Sequence, residues 1–304
     1  MSTDITTRTV DTTGANQLIR EPVHRSALAS FWGRFRKNRF AVVAAGFLIF
    51  IHAVTLLAPL IAPYTPERID LSNPLVTFSS AYLLGTDENG RDIFSRLLFG
   101  GRVSLIVGLA AVAIAVLIGT PLGAVSGYAA GWTDSVVMRI TDAFLAIPTF
   151  FLLLTVLTLF GTTLTNIVLV IGFTSWMSVA RIVRGEVLKT KGEEFITAAR
   201  VSGASANRIV IRHVIPQAIP SIIVSATLGV AFAILTESAL SFLGLGIQAP
   251  LPSWGNMLSS SQYYVWSAPR LAVYPGILIV LTVLAYNTLG NALRDTLDPR
   301  LRGR

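Results

Sequence analysis

The side chains that could carry out chemistry are few in this 304-residue sequence, and they lie far apart along it. The sequence has three histidines and no cysteine, so thiolate metal sites and disulfide bonds are excluded. It lacks the G-x-x-x-x-G-K-[ST] loop that binds nucleotide phosphates, the H-E-x-x-H zinc motif and the G-x-S-x-G nucleophile turn. We therefore assign no catalytic residue and no metal ligand. The remaining class of function is movement of a substrate, with energy supplied from outside this chain.

The most informative polar segment runs from Arg181 to Pro216 and reads RIVRGEVLKTKGEEFITAARVSGASANRIVIRHVIP. Glu193 and Glu194 suit the start of a short helix, because acidic side chains stabilise the positive end of the helix dipole. Gly203 is predicted to end this helix, and a second short helix is predicted to start near Ala206. The pair would present small residues that let another protein approach closely, namely Ala198, Ala199 and Gly203. From periodicity alone, a helix that lies on lipid headgroups stays open as an alternative.

Composition indicates the environment of these segments. The chain is 53% hydrophobic and 13% charged, whereas soluble domains carry about 25% charged residues. This deficit argues against a soluble, a disordered or a nucleic-acid-binding protein, although the net charge is +8. A bilayer-crossing helix needs about 20 mostly apolar residues, and the uncharged stretches predict an all-α polytopic membrane protein with six transmembrane helices. The stretches are Phe40–Pro63, Val103–Thr133, Ala143–Ala180 (two spans, broken at Gly161–Thr163), His213–Thr236 and Leu271–Leu293.

Basic residues predict how these spans are oriented. With six spans, 19 of the 24 Lys and Arg residues fall on one side, in both tails, in the 181–216 segment and at Arg139. Because basic residues accumulate in cytoplasmic loops, both termini are predicted to be cytoplasmic. The predicted organisation is a mobile cytoplasmic tail (1–33), a first span with an extracytoplasmic loop (34–102), a five-helix core (103–293) and a cytoplasmic tail (294–304).

The 181–216 segment resembles the EAA loop of ABC-importer permeases. The matching residues are Ala198, Ala199, Gly203, Ile215 and Pro216, while Thr197 stands where the family usually has glutamate. Four further segments, in family order, resemble permeases of the dipeptide/oligopeptide (DppC/OppC) type. They are LGTDENGRDIFSRLLFGGRVSL (84–105), ESALSFLGLG (237–246), PSWGNML (252–258) and NTLGNALRDTLDPR (287–300), the last with Asn291 in place of the usual aspartate.

This resemblance implies a type I ABC-importer permease fold in a bacterial or archaeal cytoplasmic (inner) membrane. The implied partners are a second related permease that completes a heterodimer, two ATP-binding subunits that use ATP and magnesium, an extracytoplasmic substrate-binding protein and the lipid bilayer. No cofactor is implied in this chain, no nucleic acid is implied, and the cargo class is dipeptides or oligopeptides. The short helix would be the coupling helix that docks on an ATP-binding subunit. The residues so assigned are Glu194, Phe195, Ala198, Ala199, Arg200, Gly203, Ala204, Arg208 and Pro216.

Other polar positions have two interpretations each. Charged residues of the outer loop either face the binding protein or pair with one another as a self-contained cap, and the candidates for facing it are Asp87, Arg91, Asp92 and Trp254. Three positions are candidates for a gate or for a structural role in the bundle, namely Asp142, Pro148 and Glu237. Asp142 is predicted to pair with Arg139, three residues earlier on one helical face. Glu237, at the outer end of a span, is predicted to make structural hydrogen bonds.

Two other functions are alternatives to the importer permease. A self-sufficient secondary transporter or channel predicts coupling carboxylates at mid-membrane, but Asp142 and Glu237 lie near the ends of spans. A membrane-embedded enzyme predicts a catalytic constellation, which the sequence lacks. The ordered motifs and the independently predicted topology favour the permease.

Overall fold

The computed structural model describes residues 32–297. Within this range the single β-type pairing is an isolated bridge between Thr86 and Asp92, so the predicted all-α fold is confirmed. From Arg39 onward the helices are α1 (Arg39–Leu56), α2 (Ala58–Ile61), α3 (Ile93–Ala129), α4 (Gly131–Ala146), α5 (Thr149–Phe160), α6 (Leu164–Lys191), α7 (Glu194–Val201), α8 (Ala206–Ile209), α9 (Ile215–Phe242), α10 (Trp254–Ser261) and α11 (Arg270–Leu297). A π-helical turn, Val210–Val214, joins α8 to α9. The two predicted tails lie mostly outside the described residues.

Five helical segments of the described chain are long and apolar enough to cross a membrane. They are α1, α3, α6, the continuous run from α8 to α9, and α11. They correspond to the first, second, fourth, fifth and sixth predicted spans. Four of them extend well beyond the uncharged stretches: α3 begins at Ile93, α6 continues to Lys191, the α8–α9 run covers Ala206–Phe242 and α11 covers Arg270–Leu297.

The third predicted span is a bent pair of helices, α4 and α5, which meet at 83°. The α5 helix has 12 residues, and at ~1.5 Å per residue it is shorter than a hydrocarbon core of ~30 Å. The break falls at Ile147, whose backbone is extended, because the residue before a proline (Pro148) avoids helical geometry. Counted as one broken span, the pair completes the six predicted spans.

A line of glycines brings α3 and α6 into backbone contact. Gly119, Gly123 and Gly127 are spaced four residues apart and share one face of α3. A Cβ atom added at each would lie within 3.0 Å of a carbonyl oxygen of α6, and those carbonyls belong to Trp176, Ala180 and Arg184 in turn. Residue numbers increase in the same direction along both helices at these contacts, so α3 and α6 run parallel. Small residues at four-residue spacing permit such close packing in membranes, where van der Waals contact drives helix association.

The other spans assemble around this pair through apolar side chains. The α9 helix packs against both α3 and α11, and α1 packs against α11. One buried cluster joins these helices and contains Leu48, Leu105, Ile234, Trp254, Ile279 and Val283. A second joins α5 and α6 and contains Leu153, Leu157, Ile167 and Ile171. The α5 half of the bent span is therefore held by apolar packing.

We expect Gly123→Ala to destabilise the protein, because its methyl group would overlap the backbone carbonyl of Ala180 and push α3 away from α6. Overpacking of this kind costs about 1–3 kcal/mol. The matched control is Gly185→Ala in α6, where an added Cβ meets nothing within 4 Å. The melting temperatures of both variants in detergent measure the difference. Equal melting temperatures would contradict the close α3–α6 contact.

Candidate functional site

The predicted cytoplasmic segment begins as a continuation of α6 and not as a loop. The α6 helix continues through Arg181 and ends at Lys191, so its last turns carry the short helices of the segment. Gly192 and Glu193 form the joint before α7. The α7 helix has Glu194 in its first turn and Arg200 in its last, an arrangement that suits the helix dipole at both ends.

The C-terminal end of α7 confirms Gly203 as the residue that ends the helix. Gly203 has φ +81°, in the left-handed region that glycine adopts readily. Its N–H donates to the Arg200 carbonyl at 3.0 Å, and the Ala204 N–H donates to the Ala199 carbonyl at 3.1 Å. These two bonds form a Schellman motif, which satisfies carbonyls left free at a helix end.

One face of α7 is anchored on the bundle, and Ile196 is the anchor. Its fully buried side chain belongs to one apolar cluster with Val183 and Val187 of α6 and with Ile209 and Val214 of the following turns. Sequence reasoning did not single out Ile196, although its spacing from Ala199 was a usable amphipathic signal. The anchor fixes α7 against the C-terminal end of α6.

The opposite face of α7 is free within the described chain. Phe195 is 44% exposed and Val201 is 84% exposed, which is unusual for apolar side chains outside a membrane span. Of the nine residues predicted to couple, seven are exposed, namely Glu194, Phe195, Ala198, Arg200, Gly203, Arg208 and Pro216. The other two, Ala199 and Ala204, are half-buried against the anchoring cluster. We call this set, with Val201, the α7 surface.

The second short helix is confirmed, because α8 starts at Ala206. It passes directly through the π-helical turn into α9. Of the apolar residues that follow, Ile209 and Val214 are buried, and Val210 and Ile215 are half-buried. The basic residues Arg208 and Arg212 are exposed.

Asp142 pairs with Arg181 of α6, so the predicted pair with Arg139 was wrong. Arg181 comes from a neighbouring helix that the sequence spacing could not reveal, and Arg139 has no ion pair among the described residues. A second pair lies nearby, where the guanidinium of Arg184 donates two hydrogen bonds of 2.6 Å to the two carboxylate oxygens of Asp134. Both acidic residues lie on α4, and both partners lie on α6.

Glu237 is fully buried in α9 and is held by serines. Its Oε1 accepts a hydrogen bond from Ser241 at 2.7 Å, and its Oε2 accepts one from Ser104 of α3 at 3.1 Å. The Ser104 hydroxyl oxygen also accepts the backbone N–H of Trp254 at 3.2 Å. The carboxylate therefore links α9, α3 and α10.

Trp254 is fully buried, so the prediction that it faces a binding protein was wrong. The α10 helix folds back into the bundle, and the absence of side chains at Gly100 and Gly101 leaves room for this segment. The indole Nε1 donates to the Leu97 carbonyl at 3.0 Å. Burial therefore makes this tryptophan part of the core.

In the predicted outer loop, the charged residues form a self-contained cap. Asp87 accepts the backbone N–H of Arg91 at 2.9 Å and its Nε at 2.7 Å. Asp92 caps α3 by accepting the Ser95 N–H at 2.8 Å. Because all three predicted side chains are buried in these contacts, the prediction that they face a binding protein was wrong.

Another carboxylate of this loop is stabilised by hydrogen bonds on its surface. The Asn73 amide and the Tyr82 hydroxyl donate to Asp70 at 2.9 Å each. These bonds favour the charged form and hold the pKa of Asp70 below its ordinary value. The hydrogen bond to Asp70 also raises the pKa of Tyr82, because the hydroxyl must keep its proton in order to donate it.

We expect Glu237→Gln to fold and to keep most of its activity, because an amide can both accept from and donate to the surrounding serine hydroxyls. Glu237→Ala, in contrast, leaves these buried hydroxyls unpaired at a cost of about 1–3 kcal/mol. Melting temperature in detergent and solute uptake by cells measure both effects. Complete loss of uptake in Glu237→Gln at normal protein levels would instead indicate a role that depends on the charge.

Two family models match this chain. The one described as binding-protein-dependent transport system inner membrane component matches residues 119–303. The one described as the N-terminal TM domain of oligopeptide transport permease C matches residues 26–79. Together they match most of the chain after its first 25 residues and leave residues 80–118 between them unmatched.

Curated relatives match almost end to end. The glutathione transport system permease protein GsiD of Pectobacterium atrosepticum is 40% identical over 94% of this chain and 95% of the relative. The dipeptide transport system permease protein DppC of Alkalihalophilus pseudofirmus is 40% identical over 88% of each chain. The GsiD protein of Escherichia coli O157:H7 is 41% identical over 95% of this chain and 96% of the relative.

The fold also has a solved counterpart. A chain of the MetNI methionine ABC transporter, in an inward-facing conformation, superposes with a TM-score of 0.56 at 20% identity. The match covers 68% of this chain and 98% of that chain, and at this identity it shows the fold alone. The chain is thus a multi-pass inner-membrane protein that belongs to the family of binding-protein-dependent transport system inner membrane components, as a permease subunit of the dipeptide/oligopeptide type of ABC importer.

Proposed function

We propose that this permease moves small peptides inward and is driven by ATP-binding subunits that dock on the α7 surface. The observation that carries the proposal is the division of α7, with Ile196 buried on the bundle and Phe195 and Val201 exposed on the other side. A helix held so firmly by one face transmits force applied to the other. Relatives that are named dipeptide and glutathione transport permeases support peptides as the class of cargo.

ATP and magnesium belong to the partner subunits in this proposal. The sequence has no phosphate-binding loop of its own, and two ATP-binding subunits would supply the hydrolysis. The α7 surface offers them exposed apolar side chains beside small residues such as Ala198 and Gly203. Small residues let a partner approach the backbone closely, and the apolar neighbours supply buried area.

The remaining partners complete the translocation path. A second, related permease pairs with this chain, and an extracytoplasmic binding protein delivers the cargo to the cavity between them. Closure of the ATP-binding subunits displaces α7, and the bundle changes from inward-facing to outward-facing by rigid-body motion. Cargo then enters from the binding protein and leaves on the cytoplasmic side after hydrolysis. Because the binding protein selects the cargo, the path itself needs only weak contacts.

Both termini are cytoplasmic in this arrangement, and α7 lies on the same side. Support comes from the 19 basic residues that fall on one side of six spans. Among the described residues, Lys37 precedes α1 and Arg200 lies in the last turn of α7, both on this side. The capped outer loop lies on the opposite side, where a binding protein has access.

We expect Ala198→Arg to block docking, because a long charged side chain would stand on an exposed, small position of the α7 surface. Uptake of a labelled dipeptide should fall roughly tenfold or more, which corresponds to about 1.4 kcal/mol of lost docking energy. The ATP-binding subunits should also be lost on purification in mild detergent. Ser135→Arg, an exposed position on α4, is the matched control and should retain both. Normal uptake and co-purification in Ala198→Arg would contradict the docking assignment.

The chain has no cysteine, so its orientation can be tested with single introduced thiols. Lys37→Cys and Phe78→Cys flank α1, and both native side chains are exposed. A membrane-impermeant maleimide applied to intact spheroplasts should label Phe78→Cys alone. Lys37→Cys should react only after the membrane is permeabilised. The reverse pattern would invert the proposed topology.

A further inference from the structure

The two halves of the bent span are attached to α6 in different ways. The α5 half packs through Leu153 and Leu157, which are buried in an apolar cluster with residues of α6. The α4 half has one fully buried side chain, Thr141. Its specific polar contacts with α6 are the pairs Asp134–Arg184 and Asp142–Arg181. The position of α4 against α6 therefore depends largely on these side chains.

The same stretch of α6 also carries the anchor of α7. Val183 and Val187 pack with Ile196 of α7, and Arg184 lies between these two valines in sequence. Arg184 binds Asp134 through two hydrogen bonds, and the Ser126 hydroxyl of α3 donates to the same carboxylate. One turn of α6 is thus in contact with α7 through apolar side chains and with α4 through a guanidinium.

The geometry points to a mechanical linkage: we propose that the Asp134–Arg184 pair, assisted by Asp142–Arg181, carries the displacement of α7 to α4 during transport. The proposal rests on the proposed function, in which ATP-binding subunits move α7. An apolar contact has no fixed direction and can slide, whereas a two-bond fork between guanidinium and carboxylate fixes both distance and orientation. Asp134 and Arg184 are positioning residues in this proposal and contact no cargo.

Exposure argues against stability as the main role of these pairs. The side chains of Arg181 and Asp142 are 49% and 57% exposed, and pairs at such exposure contribute little to folding. The Asp134–Arg184 pair is less exposed, but neither partner is fully buried. A structural staple predicts only a lower melting temperature when the pair is removed. A linkage predicts that α4 no longer moves with α7 when the pair is removed.

Distances between spin labels in the assembled transporter distinguish the two roles. One label pair joins the outer loop to the end of α7 (Phe78→Cys with Ser205→Cys), and a second joins the outer loop to α4 (Phe78→Cys with Ile140→Cys). Partner subunits without cysteine keep these labels unique, since the chain has none of its own. Each distance between two spin labels is measured by pulsed electron paramagnetic resonance, first without nucleotide and then with ATP trapped in the ATP-binding subunits.

In the protein that keeps the native Asp134–Arg184 pair, we expect both label distances to change when ATP is trapped. In Asp134→Asn and in Arg184→Gln, the α4 distance should lose its change while the α7 distance keeps it. The double variant should resemble each single variant, because the two residues act through one contact. Arg184→Lys keeps the charge without the fork and should restore only part of the change. Arg139→Gln, on α4 but in no ion pair of the described chain, is the matched control and should change neither distance.

The outcomes separate this proposal from the proposed function. An unaltered α4 change in Asp134→Asn and Arg184→Gln, whatever their melting temperatures, would overturn the linkage. Reduction of both changes together in these variants would also overturn it, because that result indicates general loss of structure. If the α7 distance of the unmodified protein did not respond to ATP, the docking function itself would be contradicted.

Discussion

The backbone contact between α3 and α6 is the constraint on which the rest of the structure depends. Three glycines at four-residue spacing let the two helices approach until carbonyl oxygens of α6 occupy the space of side chains on α3. Neither helix can shift toward the other without overlap, and a rotation would push a larger residue into the contact. The C-terminal extension of α6 is therefore held in a defined place, and α7 packs on it through Ile196. Placement of the α7 surface follows from packing inside the bilayer.

Polar side chains in the bundle divide between its two ends. At the end that carries the capped loop, buried polar side chains form hydrogen-bonded networks, as in the chain from the Trp254 N–H through Ser104 to Glu237. Unpaired polar groups are costly in a dry environment, so such a network keeps the outer loop and α10 closed on the helices. At the end that carries α7 the ion pairs remain partly exposed, and most residues of the α7 surface are exposed. The end with the capped loop is closed by its own contacts, whereas the end with α7 exposes a surface on which a partner could assemble.

This division fits a transport permease. The family match shows that the chain is a transport permease. The exposed face of α7 indicates where ATP-binding subunits would transmit energy to it. A rigid α6 with α7 on one side and α4 on the other is suited to distribute one displacement to two elements. The bend at Pro148 separates the part of the third span that ion pairs hold from the part that apolar packing holds.

Local signals in the sequence were sufficient for much of this description. Hydropathy predicted the spans, because a membrane requires long apolar helices whatever their neighbours are. Glu194 and Gly203 predicted the ends of α7, because capping depends on residues within one turn. The ordered motifs were sufficient for the family. Even the glycine spacing of α3 was present in the sequence, although its partner helix was not evident.

The tertiary structure decided what depends on distant residues. Asp142 pairs with Arg181, 39 residues away, in preference to the nearby Arg139. Asp134 pairs with Arg184 across 50 residues, and Trp254 donates to a carbonyl 157 residues away. Spacing along one helix cannot predict such partners, since they follow from how separate helices pack. For the same reason the sequence by itself determined that this chain spans the membrane and carries the short helix α7, whereas only the packing of the helices decided which charged and aromatic side chains are buried and which remain exposed.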